Sequence, residues 1–288
     1  MNKIIIAILI CFIGVSTLST AQKQKKEDEN KYLDYTYEKK NVKERRVIPY
    51  PPLREADVVY SKKVERVIDT REKKNQPMAW PKNPFNKILY TLVTTSGDEN
   101  KPGRIKAYRN DTFIKPLAVK DVKKVGGFCE IVDKQIDPND PYRTEQVEVC
   151  SPFDYTQITR FRINEEWIFD KQRGMFFPRI ISICPLYIPN IGGQTFPESP
   201  MFFVRYEDLR PIMIQEECFN RQNDGQQPTY YDWFESRMFS SYITKESNDK
   251  DMSINEMPEF KDNPMEALYE SDRVKMELFN WEHDLWEY

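Results

Sequence analysis

The chain has 288 residues, 31% of them charged and 13% aromatic, with a formal net charge of −3. That balance excludes a strongly basic nucleic-acid binder, a disordered polyelectrolyte and a minimal disulfide-stapled scaffold. Twenty prolines against nine glycines argue against glycine-rich ligand loops and for many proline-marked boundaries.

At the N-terminus, Lys3 precedes an apolar run from Ile4 to Val15, and Ser19 and Ala21 supply the small residues of a cleavage site. Residues 1–21 are expected to be a secretory signal peptide. The run is too short for a membrane span, which needs about 20 residues. Ile10 occupies the position before Cys11 where a lipoprotein signal requires a small residue, so no lipid anchor is expected there. Residues 22–52 follow as a charged, proline-rich arm. It holds almost no aliphatic side chains until the break IPYPPL, which stiffens the chain. Its tyrosines Tyr32, Tyr35 and Tyr37 are candidate docking side chains, with a plain linker as the alternative.

Residues 53–288 are expected to form one α+β domain. It would contain a mixed or antiparallel sheet with flanking helices, a helical N-terminal part over 53–97 and a helical C-terminal part over 229–288. Ala56, Tyr60, Val64, Val67 and Ile68 recur mainly at three- and four-residue steps, predicting a helix from Glu55 to Lys74. Tyr60 on that helix is a further candidate for partner contact. Asn83-Pro84 opens a second helix, FNKILYTLV, ending before Gly97.

The cysteines come next. Besides Cys11, the chain carries Cys129, Cys150, Cys184 and Cys218, an even count that suggests two disulfides in an exported protein. A symmetric hairpin turning at Asp137–Asp140 sets Cys129 opposite Cys150, Val132 opposite Val147 and Lys134 opposite Glu145. The same register opposes Ile131 to Glu148, a mismatch. The expected pairs are Cys129–Cys150 and Cys184–Cys218, with free or partly buried thiols as the alternative.

Phe161, Ile163, Trp167 and Phe169 lie in a strand that turns around Gly174 and returns as MFFPRIISICPLYI. PNIGGQTFPESP reads as an exposed loop and MFFVRY as another strand. Thr229 and Asp232 resemble a capping box opening a helix over YYDWFESRMFSSYI. Asn263-Pro264 opens the terminal helix. There Ala267, Ser271, Val274, Leu278, Trp281 and Leu285 form a packing seam that Tyr288 extends. His283 and Trp286 point away from it, and Trp286 is a candidate contact for a neighbour.

Candidate chemistry is sparse. The one histidine, His283, rules out HExxH and two-histidine zinc sites, and neither GxSxG nor a phosphate-binding GxxxxGK occurs. Without CxxC spacing the cysteines suggest no metal. Asp249, Asp251 and Glu256 lack the glycine and ligand spacing of a calcium loop. Glu165, Glu166 and Asp170 around Trp167 keep one enzymatic alternative open, a carboxylate-dependent glycan hydrolase; an isolated ligand-binding module is another. No cofactor is expected.

Three internal runs and the chain's ending carry a resemblance. PPLREADVVYSKKVERVIDTREKKNQP (51–77), ITRFRINEEWIFDKQRGMFFPRIISICPL (158–186), ESRMFSSYITKESN (235–248) and FNWEHDLWEY (279–288) resemble, in order, blocks of the GldN/PorN gliding motility and type IX secretion family. The resemblance implies a non-enzymatic periplasmic component of the Bacteroidota type IX machinery, associated with the outer membrane. It also implies partners: a GldK/PorK-like lipoprotein, self-association within a ring, and contact with the GldM/PorM-like region of the motor. It assigns no interface residues, and with most of the cysteines outside the matching runs it adds nothing to the expected disulfides.

Overall fold

Burial along Val58–Asp69 (β1) alternates between half-buried and exposed up to Lys63, the period of a strand. The helix expected over 55–74 is therefore absent. Lys62 and Arg66 turn inward with Tyr60, Val64 and Ile68, so the inward face carries charges and its two-residue period is hidden in the sequence. In this computed structural model the described residues are 41–125, 128–137, 140–151, 154–188, 190–191, 194–195 and 197–285. Residues 1–45 and 46–288 form separate units, and the described residues of the first include a helical turn, Asn41–Glu44 (α1). The expected signal peptide, Tyr32, Tyr35, Tyr37, Trp286 and Tyr288 lie outside the described residues.

The second unit is built on a seven-stranded antiparallel sheet. In chain order its members are β1, Ala107–Tyr108 (β2), Arg160–Asp170 (β5), Met175–Tyr187 (β6), Ser199–Pro200 (β9), Phe203–Arg205 (β10) and Tyr242–Glu246 (β11). They are ordered β11-β1-β5-β6-β10-β2, with β9 also on β6. Phe128–Asp137 (β3) and Asp140–Ser151 (β4) form a separate hairpin, and Asn190–Ile191 (β7) pairs with Gln194–Thr195 (β8) inside the expected loop. In the β3–β4 hairpin Cys129 stands opposite Cys150, Val132 opposite Val147 and Lys134 opposite Glu145, the register symmetry predicted. The side chains of this hairpin lie outside the description.

Helices Phe85–Thr94 (α2), Val119–Lys124 (α3), Tyr206–Met213 (α4), Tyr230–Glu235 (α5) and Pro264–Asp284 (α6) complete the fold. The main core joins Ile68, Phe161, Ile163 and Ile183 of the sheet to Phe85, Leu89, Tyr206, Tyr230 and Phe234 of α2, α4 and α5. A second cluster joins Val64, Trp167 and Phe176 to Ala267, Val274 and Leu278 of α6. By register both clusters share one face of β1 and β5, since Ile68 opposes Phe161 and Val64 opposes Glu165. A smaller cluster, including Val67, Cys184 and Leu186, holds the other face.

The expected helix over YYDWFESRMFSSYI is shorter than its sequence. Its capping box forms: Thr229 Oγ1 accepts from the Asp232 amide, and Asp232 Oδ2 accepts from the Thr229 amide at 3.1 Å. After Glu235 the chain turns at Arg237, whose φ is 51°. The Met238 amide donates back to Trp233 O and the Arg237 amide to Phe234 O, the paired bonds of a left-handed helix stop. Glycine normally fills that position. Residues beyond it enter β11 instead of continuing the helix. MFFVRY is likewise a short strand that passes directly into α4.

Cys184 and Cys218 are buried free thiols, which corrects the expected Cys184–Cys218 pair. Cys184 packs in the Val67–Leu186 cluster and Cys218 in the main core, so the two do not share one environment. Burial pushes each thiol up to about 12.

Candidate interaction surface

The three carboxylates of NEEWIFD separate as soon as β5 is placed. Glu165 faces inward and is fully buried. Arg66 Nε lies 2.9 Å from Glu165 Oε2 and Arg237 Nη1 2.9 Å from Oε1. Both guanidiniums also lie over the Trp167 ring, at 5.7 and 5.4 Å from its centroid. Burial draws the Arg66 guanidinium below its ordinary value, opposed by the Glu165 charge. Glu166 points to the other face and accepts from the Ser61 hydroxyl. Asp170 caps the β5–β6 turn, accepting from the Gln172 amide at 2.9 Å and from Arg173 Nη1 at 2.9 Å. Each of the three acids is engaged within the fold, and Glu165 and Glu166 face opposite sides of the sheet.

A second arginine-rich feature, missed in the sequence, holds the IPYPPL segment. Proline carbonyls have no intrasegment amide partners in an extended run and accept from outside. Arg210 Nη2 donates to Ile48 O at 2.8 Å and Arg179 Nη2 to Pro51 O at 3.0 Å. Tyr50 is inserted between them, its ring 3.6 Å from Arg210 Cζ and 4.9 Å from Arg179 Cζ. Its hydroxyl donates to Glu235 Oε1 at 2.6 Å, and Tyr206 donates to the same oxygen at 3.1 Å. Desolvation first, and Glu235 second, raise the Tyr50 phenol well above its ordinary value, so it remains a donor. A cavity of about 320 Å³ lies beside this strap, lined by Pro51, Met175, Phe177, Ile180 and Phe234 among others. Only the prolines announced the segment; its arginine partners are far away in sequence.

The terminal helix α6 is where sequence and structure agree most closely. Asn263 Oδ1 accepts from the Met265 amide, and Pro264 occupies the first turn. Ala267, Ser271, Val274 and Leu278 are buried, as the seam predicts. Ser271 Oγ accepts from the Ile243 amide at 2.9 Å, tying the helix to β11. Leu285 packs at the margin of the same cluster. Trp281 departs from the expectation. It is 47% exposed and stacks on Tyr60 with ring centroids 5.1 Å apart. Tyr60 also meets Phe176 edge-on at 5.9 Å, so it is a packing residue of β1 and not a free docking group. His283 lies off the seam beside Phe279, as expected.

Met265, Leu268, Tyr269, Met276 and Phe279 are exposed on the same helix. With about 100° between successive residues, Met265, Tyr269 and Met276 fall on the side opposite Ala267, Val274 and Leu278, while Leu268 and Phe279 lie on its flank and Asp272 falls among the five. The helix thus buries one apolar stripe and exposes further apolar side chains around Asp272. Among the described residues, no helix is long and apolar enough to cross a membrane.

No curated protein matches the chain. The sequence profile of gliding motility associated protein GldN matches residues 53–287, from the end of the arginine-held strap through the whole sheet and α6. The chain belongs to the GldN family of gliding motility and type IX secretion proteins.

Proposed function

We propose that this chain is a non-enzymatic structural subunit of the type IX secretion and gliding machinery. In this reading it is exported to the periplasm and held at the outer membrane by a GldK/PorK-like lipoprotein. Copies associate in a ring and contact a GldM/PorM-like region of the motor. The carrying observation is the extent of the family match, which spans the sheet and helices α2 to α6. The engagement of Glu165, Glu166 and Asp170 within the fold also supports it, because the hydrolase alternative needs two carboxylates across a sugar cleft.

The charged arm is assigned to contact the lipoprotein through Tyr32, Tyr35 and Tyr37, on the strength of its composition alone. Tyr60 is withdrawn from that assignment because it packs under Trp281. The test compares the full-length chain with one lacking residues 22–47, each affinity-isolated from envelopes in mild detergent. The lipoprotein is expected with the full-length chain and diminished with the deletion. Full recovery with the deletion removes the arm from the interface.

A further inference from the structure

The cavity beside the IPYPPL strap has a structural cause. Among the described residues, β9 and β10 pair with β6 only from Ser182 onward, so Met175 to Ile181 form a free sheet edge on that side. The strap lies against this edge but is held by guanidiniums rather than by backbone pairing. Paired strands approach to about 4.8 Å, and a side-chain bridge keeps the two backbones farther apart. The space left is about 320 Å³, whereas protein interiors hold few voids larger than a water molecule. We infer that it is a binding site for a small carboxylate on an apolar stem, independent of the assembly contacts proposed above.

The first observation is the wall. Pro51, Met175, Phe177, Pro178, Ile180 and Phe234 present apolar surface to the cavity. Met175 is exposed and Phe234 is fully buried, so the lining reaches from the surface to the core. A mostly apolar wall with a few convergent polar groups is the usual make-up of a small-ligand site.

The second observation is charge. Arg173 pairs with Asp170, and Arg210 Nε lies 3.6 Å from Glu235 Oε1. Glu165 serves both Arg66 and Arg237, which leaves one positive charge over. Arg179 is the second. Its guanidinium stacks on the Tyr50 and Phe177 rings, 4.9 and 5.3 Å from their centroids. Only one of its N–H groups is engaged, by Pro51 O, and it makes no ion pair among the described residues. Glu166 stands opposite Arg179 in the sheet register, but it accepts from Ser61 and has Lys63 opposite it on β1. Glu235, the one carboxylate in the lining, already accepts from the Tyr50 and Tyr206 hydroxyls. The surplus is positive, and the edge of the Arg179 guanidinium offers the planar fork that a carboxylate fits. A cationic ligand would add to the surplus, and a neutral one would leave those donors unused.

The test titrates the exported full-length chain with decanoate, decanol and decyltrimethylammonium, each below its micellar concentration, by calorimetry. Decanoate is expected to bind saturably at a single site and to raise the thermal midpoint. Decanol should bind about tenfold more weakly, and decyltrimethylammonium should not bind. Arg179→Gln should bring decanoate down to the level of decanol while leaving decanol unchanged. Met175→Trp alters an exposed lining position that takes no part in holding the strap. It narrows the cavity and should weaken decanoate and decanol alike, which keeps the test decisive if Arg179→Gln loosens the strap.

Absence of saturable decanoate binding would overturn the inference. So would equal affinity for decanoate and decanol, binding of the cationic probe, or wild-type decanoate affinity in either variant.

Discussion

Arg66 Nε lies 2.9 Å from Glu165 Oε2, both side chains buried, on a sheet face that is apolar to either side of them. Ile163, two residues before Glu165 on β5, belongs to the main core; Trp167, two residues after it, belongs to the α6 cluster. The ion pair, completed by Arg237, thus marks the junction of the two cores. Buried ion pairs add little net stability against an apolar replacement, but removing one partner leaves a charge stranded. Glu165→Gln should cost about 3–5 kcal/mol in urea unfolding, because Arg66 and Arg237 then lose their counter-charge. Glu165→Leu/Arg66→Met should cost less than Glu165→Gln. The reverse order would show that the charges themselves hold the junction together.

Arg237 combines that ion pair with a left-handed backbone, at φ 51°. A non-glycine residue there carries about 1–2 kcal/mol of strain. Arg237→Ala loses the ion pair and keeps the strain, whereas Arg237→Gly loses the ion pair and relieves it. Thermal unfolding should rank Gly above Ala by about 1 kcal/mol. Equal stabilities would show that the turn tolerates any side chain.

Trp281 lies half exposed on Tyr60, while Val274 and Leu278 are buried. Leu278→Ala should cost about 2–5 kcal/mol. Trp281→Ala should fall below that, near 1–2 kcal/mol, from a single aromatic stack and partial burial. A double-mutant cycle with Tyr60→Ala should return a coupling of about 0.5–1.5 kcal/mol. Loss of stability from Trp281→Ala equal to that from Leu278→Ala would place Trp281 in the core after all.

Acid should weaken the β1–β5 end of the sheet through Asp69. The Arg71 side chain first, with the Arg71 amide and Arg160, holds this carboxyl at about 2, below its ordinary 3.8. Its contribution is therefore present above about pH 4 and is lost as pH falls toward 2. Asp69→Asn should flatten the stability profile in that window and lower stability at neutral pH. An unchanged slope between pH 4 and 2 would exclude Asp69 as a source of acid sensitivity.

Thiol counting separates the cysteines. The exported chain, denatured without reduction, should titrate two thiols, Cys184 and Cys218, and four after reduction. That result fits a Cys129–Cys150 bond across the hairpin, where the backbone sets them opposite. Four thiols before reduction would leave the hairpin unlinked.

Features written in neighbouring residues were legible in the sequence. They include the Thr229–Asp232 box, the Asn263-Pro264 helix start, the turn at Gly174 and the hairpin register. Features made by distant residues were not. β1 read as a helix because Lys62 and Arg66 occupy inward positions, and their partners Glu246 and Glu165 lie on other strands. The Tyr50 clamp needs Arg179, Arg210 and Glu235 from three separate elements. The α6 seam is legible, but the exposure of Met265, Tyr269 and Met276 on the same helix follows only from which side the sheet covers.

The most direct test of the scaffold reading is the size and composition of what the full-length exported chain carries out of the envelope under mild detergent. The account predicts a large assembly containing many copies of the chain and a lipoprotein. A monodisperse monomer, free of lipoprotein and active on cell-wall glycan, would contradict it.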